Sequence, residues 1–258
     1  MNKMSEIVFV PDWPDLPVQF NALSTLRTGG FSLAPYDDGS GAGGFNLASH
    51  VADDFAHVQQ NRSLLAPYLP CEPSWLTQVH GTDVVKLGRP QHDLVADACF
   101  TPLPGVVCAV QTADCLPVLF CDAKTNVVAA AHAGWRGLAN GVLEKTLWHM
   151  HRAGAAPGDV LVWLGPAIGP NQFEVGPEVR DQFVQDDSCA AAAFLPIEEK
   201  PGKFYADIYQ LARLRLQKLG VTQISGGNFC TFTQREKFFS YRRDGVTGRM
   251  ASLIWIKP

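Results

Sequence analysis

The stretch that decides the fold is 105–137, which reads GVVCAVQTADCLPVLFCDAKTNVVAAAHAGWRG. It contains three short apolar segments, at 105–112, 116–121 and 127–131. Bounded apolar runs of this length are typical of buried strands rather than of helices. The polar residues 122–126 predict a hairpin-like return between the second and third segments, which would bring Cys115 and His132 to the same end of a sheet.

A third candidate residue, His80, lies upstream in WLTQVHGTDV, again where an extended run meets a glycine. One Cys and two His at strand ends can hold a zinc ion and leave one coordination position open. Taken singly, each residue also has a plainer interpretation, as a small buried thiol or a hydrogen-bonded structural histidine. Their spacing is not that of zinc-finger ligands, so the metal hypothesis rests on all three lying at breaks between apolar runs and turns. Asp97 and Asp114 either orient such imidazoles from behind or cap turns.

Length and composition exclude several classes of protein. The chain has 258 residues, 47% of them apolar and 18% charged, and no linker or repeat divides it; we therefore expect one domain over residues 1–258. A net charge of −4 argues against nucleic acid as a partner. No apolar run is long enough to span a membrane, and the N-terminus lacks a signal-peptide pattern. Seven Cys without a CxxC pair favour reduced thiols in a cytoplasmic protein.

Amphipathic periodicity predicts three helices, which begin after Asp53 or Asp54, at Trp135 and after Asp207. The first is expected to bury Phe55, and the second to run without interruption to near Gly154. KFFSYRRDGVTGR and MASLIWI, near the C-terminus, read as strand-like runs separated by turns. The fold class predicted from these elements is mixed α/β, with strands covered by several helices.

Two further motifs have two interpretations each. Gly134 and Gly137 lie in the first turn of the second predicted helix, directly after His132. Exposed N–H groups at that point can bind an anion, or the glycines only let the helix pack closely on the sheet. His149 and His151 form an HxH pair at the other end of the same helix, where a solvated face is the favoured interpretation.

Four blocks of sequence carry a family resemblance: TQVHGTDV, TADCLPVLF, AAAHAGWRG and GPAIGPNQFEVG. They resemble the signature blocks of the bacterial YfiH family, also called the laccase-domain or polyphenol-oxidase family, which is represented in animals by the enzyme FAMIN. LRTGGFS, FNLASH, QNRSLL, ADACFT, NFCTF and FSYRRDGVTGR match further blocks in the same order. The resemblance covers nearly the whole chain.

The resemblance implies a structure and a metal site. It implies a single α/β domain in which mixed β-sheets are sandwiched between helices, similar in shape to cysteine hydrolases of the cytotoxic-necrotising-factor type. It also implies that His80, Cys115 and His132 bind a metal, usually zinc, and that the same three residues carry the catalysis.

The resemblance also implies purine nucleoside chemistry, namely phosphorolysis of adenosine, inosine and methylthioadenosine, together with adenosine deamination. Copper-dependent phenol oxidation is a further activity attributed to the family. A multicopper laccase needs many His ligands, whereas this chain has seven His in all, and three ligands suit one zinc ion better. Nucleoside and phosphate would be the partners of a monomer or weak homodimer. The candidate substrate- and phosphate-binding residues are Asn46, Arg62, Arg136 and Arg242.

A different enzyme class remains open. One branch of the family is linked to editing of peptidoglycan precursors, in which serine is removed from UDP-MurNAc-L-Ser. That reaction needs an amide hydrolase, with Cys115 as nucleophile and His132 as its base or with a metal-activated water. Arg242, Arg243 and Arg249 form a basic cluster that either pairs with a phosphate or carboxylate or lies on a turn.

Overall fold

The computed structural model describes residues 7–88, 91 and 93–258. Within these residues the strands are β1 Val8–Phe9, β2 Phe20–Thr25, β3 Thr28–Ser32, β4 Val84–Lys86, β5 Ala98–Thr101, β6 Val107–Thr112, β7 Leu116–Asp122, β8 Val127–Ala133, β9 Leu161–Leu164, β10 Glu174–Val175, β11 Phe194–Pro196, β12 Phe204–Ala206, β13 Gln223–Gly226 and β14 Met250–Ile256. The helices are α1 Phe55–Leu65, α2 Trp135–Ala139, α3 Val142–Arg152, α4 Pro177–Asp186, α5 Ile208–Lys218 and α6 Tyr241–Asp244. Residues 1–6, which bear on the expectation about a signal peptide, lie outside the described residues.

The strands form a six-stranded, a four-stranded and a three-stranded sheet. The six-stranded sheet has the order β13-β9-β7-β8-β5-β4 and is mixed, because β13 pairs with β9 and β4 with β5 in parallel while the other pairs are antiparallel. The four-stranded sheet, β1-β2-β14-β6, is antiparallel throughout. The predicted mixed α/β fold class is confirmed.

Alternation along the strands explains why the two larger sheets stack. In β7, Val118 and Phe120 face the helices, whereas Leu119 and Cys121 face the four-stranded sheet. In β14, Ile254 faces the six-stranded sheet in the same shared core. Successive side chains of a strand point to opposite faces, so a strand that is apolar at every position becomes buried on both sides. The prediction of strands from unbroken apolar runs is confirmed here.

The chain passes from one sheet to the other at the segment 113–115. β6 belongs to the four-stranded sheet and β7 to the six-stranded sheet, so this short connection joins the two layers. β7 then pairs with β8 through the predicted hairpin, with Pro117 opposite His132. β8 is longer than the predicted segment 127–131, and His132 lies inside the strand rather than after it.

Three local predictions are wrong. The single helix expected from Trp135 is two helices, because Gly141 has a left-handed backbone (φ 95°) that interrupts it between α2 and α3. The run KFFSYRRDGVTGR contains the short helix α6 instead of a strand, and Ser240 caps it. Phe55, expected on the buried face of α1, is 65% exposed because it is the first residue of the helix and points away from the core.

Candidate active site

The structure brings His80, Cys115 and His132 together. Their potential ligand atoms all lie within 4.8 Å of one another, and among the described residues this is the one group of three or more such side chains with metal-binding geometry. Cys115 Sγ lies 3.7 Å from His80 Nε2, and the two imidazole ring centres are 4.9 Å apart. His80 is exposed, Cys115 half-buried and His132 buried. We call these three residues the His–Cys–His group.

Asp97 holds the imidazole of His132 and the backbone around His80. His132 Nδ1 lies 2.8 Å from Asp97 Oδ1, which leaves the other ring nitrogen of His132 for a ligand. The Asp97 carboxylate also accepts hydrogen bonds from three consecutive backbone N–H groups, those of Val79, His80 and Gly81. These bonds and the His132 contact hold the pKa of Asp97 below its ordinary value, against the effect of burial. Of the two interpretations of Asp97, orientation of the imidazoles is the one that the geometry supports.

For Asp114 the geometry supports capping of a turn rather than orientation of an imidazole. Its carboxylate accepts hydrogen bonds from Thr231 Oγ1 at 2.6 Å, Ser240 Oγ at 3.0 Å and the backbone N–H of Arg242 at 2.6 Å. It thereby holds the start of α6 against the crossover segment. Asp114 (φ 87°) and His80 (φ 59°) both have left-handed backbones, which are uncommon for residues other than glycine. Such conformations concentrate at functional sites, and here one is a ligand residue and the other precedes one.

Cys115 and His132 perturb one another electrostatically. Burial raises the pKa of the Cys115 thiol, but the charge of His132 and hydrogen bonds from both imidazoles outweigh it and lower that pKa to about 6. Burial likewise lowers the pKa of His132, but the Cys115 thiolate and the Asp97 carboxylate raise it to about 9. Without a metal, a thiolate beside an imidazolium is therefore the stable pair near neutral pH.

The backbone at Gly134 leaves room for an ion. A Cβ atom at this position would lie 2.9 Å from His80 Cδ2 and 3.0 Å from Cys115 Sγ, so any side chain would crowd both residues. Two imidazoles and one thiolate are a donor set that suits zinc, with a fourth position for water or substrate. The residues present therefore fit a metal ion at the His–Cys–His group.

An aromatic cavity of about 220 Å³ opens beside Cys115. Its wall includes Cys115, Trp135, Arg136, Phe173, Tyr241 and Arg242. Both arginines already contact the protein: Arg136 stacks on Trp135, and Arg242 stacks on Phe173 and donates from Nη1 to the Glu174 carbonyl at 2.9 Å. The sequence-predicted residues Arg136 and Arg242 therefore lie at this cavity.

A second cavity, of about 430 Å³, contains the sequence-predicted Arg62. We call it the donor-lined cavity; its wall includes His50, Arg62, Trp75, Gln78, Asp93 and Gln111. Arg62 donates from Nε and Nη2 to the Leu47 carbonyl and stacks over the Trp75 ring, 4.6 Å from its centre. Burial lowers the pKa of His50, and the charges of Arg249, Arg62 and His132 lower it further, so the cavity lies within electrostatic reach of the His–Cys–His group.

Asn46 lies away from both cavities. It is fully buried, and its amide nitrogen donates to the Ala48 carbonyl and to Asp53 Oδ2. Its amide oxygen accepts from the backbone N–H groups of Ala48 and Arg249. With both ends of the amide occupied, Asn46 ties the N-terminal loop to the strand that starts at Met250, and the structure gives it no contact with the His–Cys–His group.

The HxH pair is separate from the group, and the helix start that was expected to bind an anion has a packing role. His149 stacks near Phe100 and Trp148, and His151 Nδ1 lies 2.9 Å from the Ala155 carbonyl. The helix that follows His132 is α2, which has five residues. Gly137 lies where a Cβ would come within 2.8 Å of the Gly81 carbonyl, so close packing is the interpretation that the geometry supports.

Sequence reasoning missed several wall residues because they are far apart along the chain. Trp75 has no motif of its own, and the blocks FNLASH and FSYRRDGVTGR gave no sign that His50 and Tyr241 line cavities. Gln111 did carry a usable signal, since it is a polar side chain that interrupts the last apolar strand before Cys115. A polar residue buried at such a position requires a partner.

The fold and the site together define an α/β protein in which the His–Cys–His group, whose side chains could hold a metal ion, lies at the edge of two stacked sheets. The family model described as multi-copper polyphenol oxidoreductase laccase matches residues 21–257, and the chain belongs to this family, as the sequence resemblance predicted. No helix among the described residues has the length and apolar character needed to cross a membrane.

Two named relatives and one solved structure each match nearly the whole chain. A purine nucleoside phosphorylase of Pseudomonas aeruginosa is 53% identical over 96% of this chain and 97% of its own length. The purine nucleoside phosphorylase YfiH of Escherichia coli is 53% identical over 98% of this chain and 100% of its own length. A crystal structure of a Neisseria meningitidis protein, NMB0706, has a TM-score of 0.88 and 45% identity, and the match covers 98% of this chain and 100% of that one.

Proposed function

We propose that the protein is a metal-dependent purine nucleoside phosphorylase that acts on inosine, adenosine and methylthioadenosine, with adenosine deamination as a companion activity. The names of its relatives support the reaction class. The observation that carries the proposal is the His–Cys–His group with the aromatic cavity, whose wall includes Cys115. A second cavity, rich in hydrogen-bond donors, has Gln78 and Gln111 in its wall, two residues before His80 and four before Cys115. A phosphorolysis needs places for a planar base and for an oxyanion, and these two cavities provide them.

The roles of the residues follow from their positions. Tyr241 offers an exposed aromatic face on which a purine stacks, whereas the buried Phe173 ring lies under Arg242. Asp97 keeps His132 in one tautomer, with Nδ1 toward the carboxylate. A bound divalent ion would supply Lewis-acid character toward an oxygen of substrate or water.

The test is turnover of inosine with and without inorganic phosphate, measured as hypoxanthine and ribose 1-phosphate. We expect base release to require phosphate and to yield both products. Base release without phosphate would identify a nucleoside hydrolase instead, and no turnover of any purine nucleoside would refute the proposal. Adenosine incubated without phosphate and assayed for ammonia tests the deaminase activity separately.

We propose zinc as the metal. A single group with one thiolate and two imidazoles suits zinc, whereas a laccase needs a trinuclear copper cluster in addition to a mononuclear site. Elemental mass spectrometry of the purified protein distinguishes the two metals: we expect about one zinc per chain, and several copper ions per chain would support phenol oxidation. Seven free thiols, all in the described part of the chain, agree with a reducing cytoplasm.

A second candidate function is amide hydrolysis with Cys115 as nucleophile, and a specific observation favours it. Cys115, His132 and Asp97 form a thiol–imidazole–carboxylate series, and the pKa of the thiol is lowered to about 6. Chelation and Cys115→Ser separate the two mechanisms, with UDP-MurNAc-L-Ser as the substrate. Activity that survives a chelator but is lost in Cys115→Ser supports the nucleophile; loss on chelation with rescue by zinc excludes it.

A further inference from the structure

The donor-lined cavity contains two buried N–H groups that have no hydrogen-bond partner. Gln111 is 5% exposed, and its Nε2 is buried without a partner. Trp75 Nε1 is likewise buried and unpartnered, and both residues belong to the wall of this cavity. A buried donor that is left unpaired destabilises the folded protein, so native structures nearly always pair such groups with protein, water or ligand.

Positive charge converges on the same cavity. Two bonds to the Leu47 carbonyl and the contact with Trp75 hold the Arg62 guanidinium in one orientation. Burial lowers the pKa of His50 in the same wall, and the charges of Arg249, Arg62 and His132 lower it further, so His50 lies within electrostatic reach of these groups. Asp93 is the acidic residue of the wall, and it is exposed. The Arg62 guanidinium is therefore the cation of the wall that an anion would contact.

Hydrogen bonds join the wall of the donor-lined cavity to the segment that carries His80. The Gln78 side chain donates from Nε2 to the Gln111 carbonyl and accepts from the Gln111 backbone N–H, both at 2.8 Å. Gln78 lies two residues before His80, and Gln111 lies four residues before Cys115. The Gln111 backbone therefore has a fixed position relative to the segment that carries His80, which favours preorganised binding by the Gln111 side chain.

The aromatic cavity is a poorer site for the same anion. Its Arg242 already donates to the Glu174 carbonyl, and its Arg136 is exposed and stacked on Trp135. Neither is accompanied by a buried donor without a partner among the described residues. Exposed guanidiniums in water attract phosphate weakly compared with buried and oriented donors.

We propose that the donor-lined cavity is the phosphate subsite, in which Gln111 Nε2, Trp75 Nε1 and Arg62 bind the oxygens of inorganic phosphate while the nucleoside occupies the aromatic cavity. This assignment rests on the proposed phosphorolysis. In that reaction a phosphate oxygen forms the bond to C1′ of the ribose as the bond from C1′ to the base nitrogen breaks. The electron pair of the broken bond goes to the base, and the proton of hydrogen phosphate is transferred to the base nitrogen.

Two variants remove single N–H donors. Trp75→Phe retains the aromatic ring beneath Arg62 but removes Nε1, and Gln111→Leu replaces the amide by an apolar side chain of similar size. Trp148→Phe is the matched control, because it makes the same change at a tryptophan that is 56% exposed on α3. Thermal unfolding without phosphate shows whether each variant folds. If Gln111→Leu does not fold, Trp75→Phe is the milder change and still tests the subsite.

Two measurements separate this proposal from the proposed function. Calorimetric titration with inorganic phosphate should show about tenfold weaker binding in Trp75→Phe and Gln111→Leu, and unchanged binding in Trp148→Phe. Steady-state kinetics should show the KM for phosphate raised about tenfold and the KM for inosine changed less than twofold. Phosphate binding that is equal in all four proteins overturns the subsite, even if phosphorolysis occurs. Weakened phosphate binding without turnover of any nucleoside supports the subsite and refutes the phosphorylase.

Discussion

The aromatic cavity and the donor-lined cavity differ in the state of their polar groups. In the aromatic cavity Arg136 stacks on Trp135, Arg242 stacks on Phe173 and donates to the Glu174 carbonyl, and Tyr241 is the exposed aromatic side chain of the wall. In the donor-lined cavity the Trp75 ring is covered by Arg62, and the unsatisfied groups are N–H donors. The first suits a flat, uncharged ligand and the second a small anion. Under the proposed phosphorolysis the first would hold the nucleoside and the second the phosphate.

The largest effect is expected at the His–Cys–His group itself. His132→Ala removes the buried ligand of the group, so the metal should be lost. Turnover should fall by roughly a thousandfold or more, because a metal Lewis acid contributes several kcal/mol to transition-state stabilisation. Elemental analysis and kcat/KM measure the two effects. His149→Ala on α3 is the control and should retain the metal; a His132→Ala protein with one metal per chain would contradict the site.

Asp97→Asn tests whether the carboxylate that holds His132 contributes to metal affinity at the His–Cys–His group. An amide has only one oxygen to replace the carboxylate that accepts from His132 and from three backbone N–H groups. Metal affinity should fall by roughly 10–100-fold, which is typical of outer-shell partners. Competition with a chelator measures it. Asp122→Asn, at the opposite end of β7, is the matched control, and an equal loss there would show a general effect of stability.

Tyr241→Ala should distinguish the cavities from one another. Tyr241 lies in the wall of the aromatic cavity and is 60% exposed, so the fold should tolerate the change. Loss of a stacking face costs about 2 kcal/mol, or roughly 30-fold in the KM for inosine. The KM for phosphate should not change, and Tyr241→Phe should behave as the wild type. An equal rise in both KM values would show that the cavities do not bind separate substrates.

The smallest expected effect is on the reactivity of Cys115 in the metal-free protein. Its pKa of about 6 means that the thiolate forms as pH rises through 6 and is lost as pH falls below it. Alkylation by iodoacetamide should therefore increase about tenfold between pH 5 and 8, with half of the change near pH 6. Mass spectrometry locates the label, and Cys115→Ser gives the background of the other thiols. Inosine should protect Cys115 and phosphate should not; a midpoint near pH 9 would contradict the thiolate–imidazolium pair.

The strands at the centre of the fold could be predicted because each is a short apolar run with polar ends. The hairpin of β7 and β8 placed Cys115 and His132 at one edge for the same reason. The spacing of His80 alone gives little support for a place in the site, and the family resemblance adds to that support. Asp97 was named as a possible support, but only the folded chain brings it within 2.8 Å of His132.

Other features could not be predicted, for physical reasons that differ. The apolar stripe of the second helix continues across the break at Gly141, so periodicity gives no sign of the interruption. The four residues of α6 are too few to show any period. The donor-lined cavity joins side chains from α1, β6 and three loops, and its chemistry depends on which N–H groups tertiary packing leaves unpaired.

The crossover at 113–115 has a consequence for the mechanics of the fold. Cys115 lies on the segment that ties the four-stranded sheet to the six-stranded one, while His132 belongs to the six-stranded sheet alone. If β6 separates from β14, the segment that carries Cys115 is held only by its link to β7. An ion bound to the group would restrain that segment, and at a thousandfold excess over its Kd it would add about 4 kcal/mol to the free energy of unfolding. The backbone amides of β6 should then exchange hydrogen more slowly with the ion bound, so that the His–Cys–His group would also govern how often the two sheets separate.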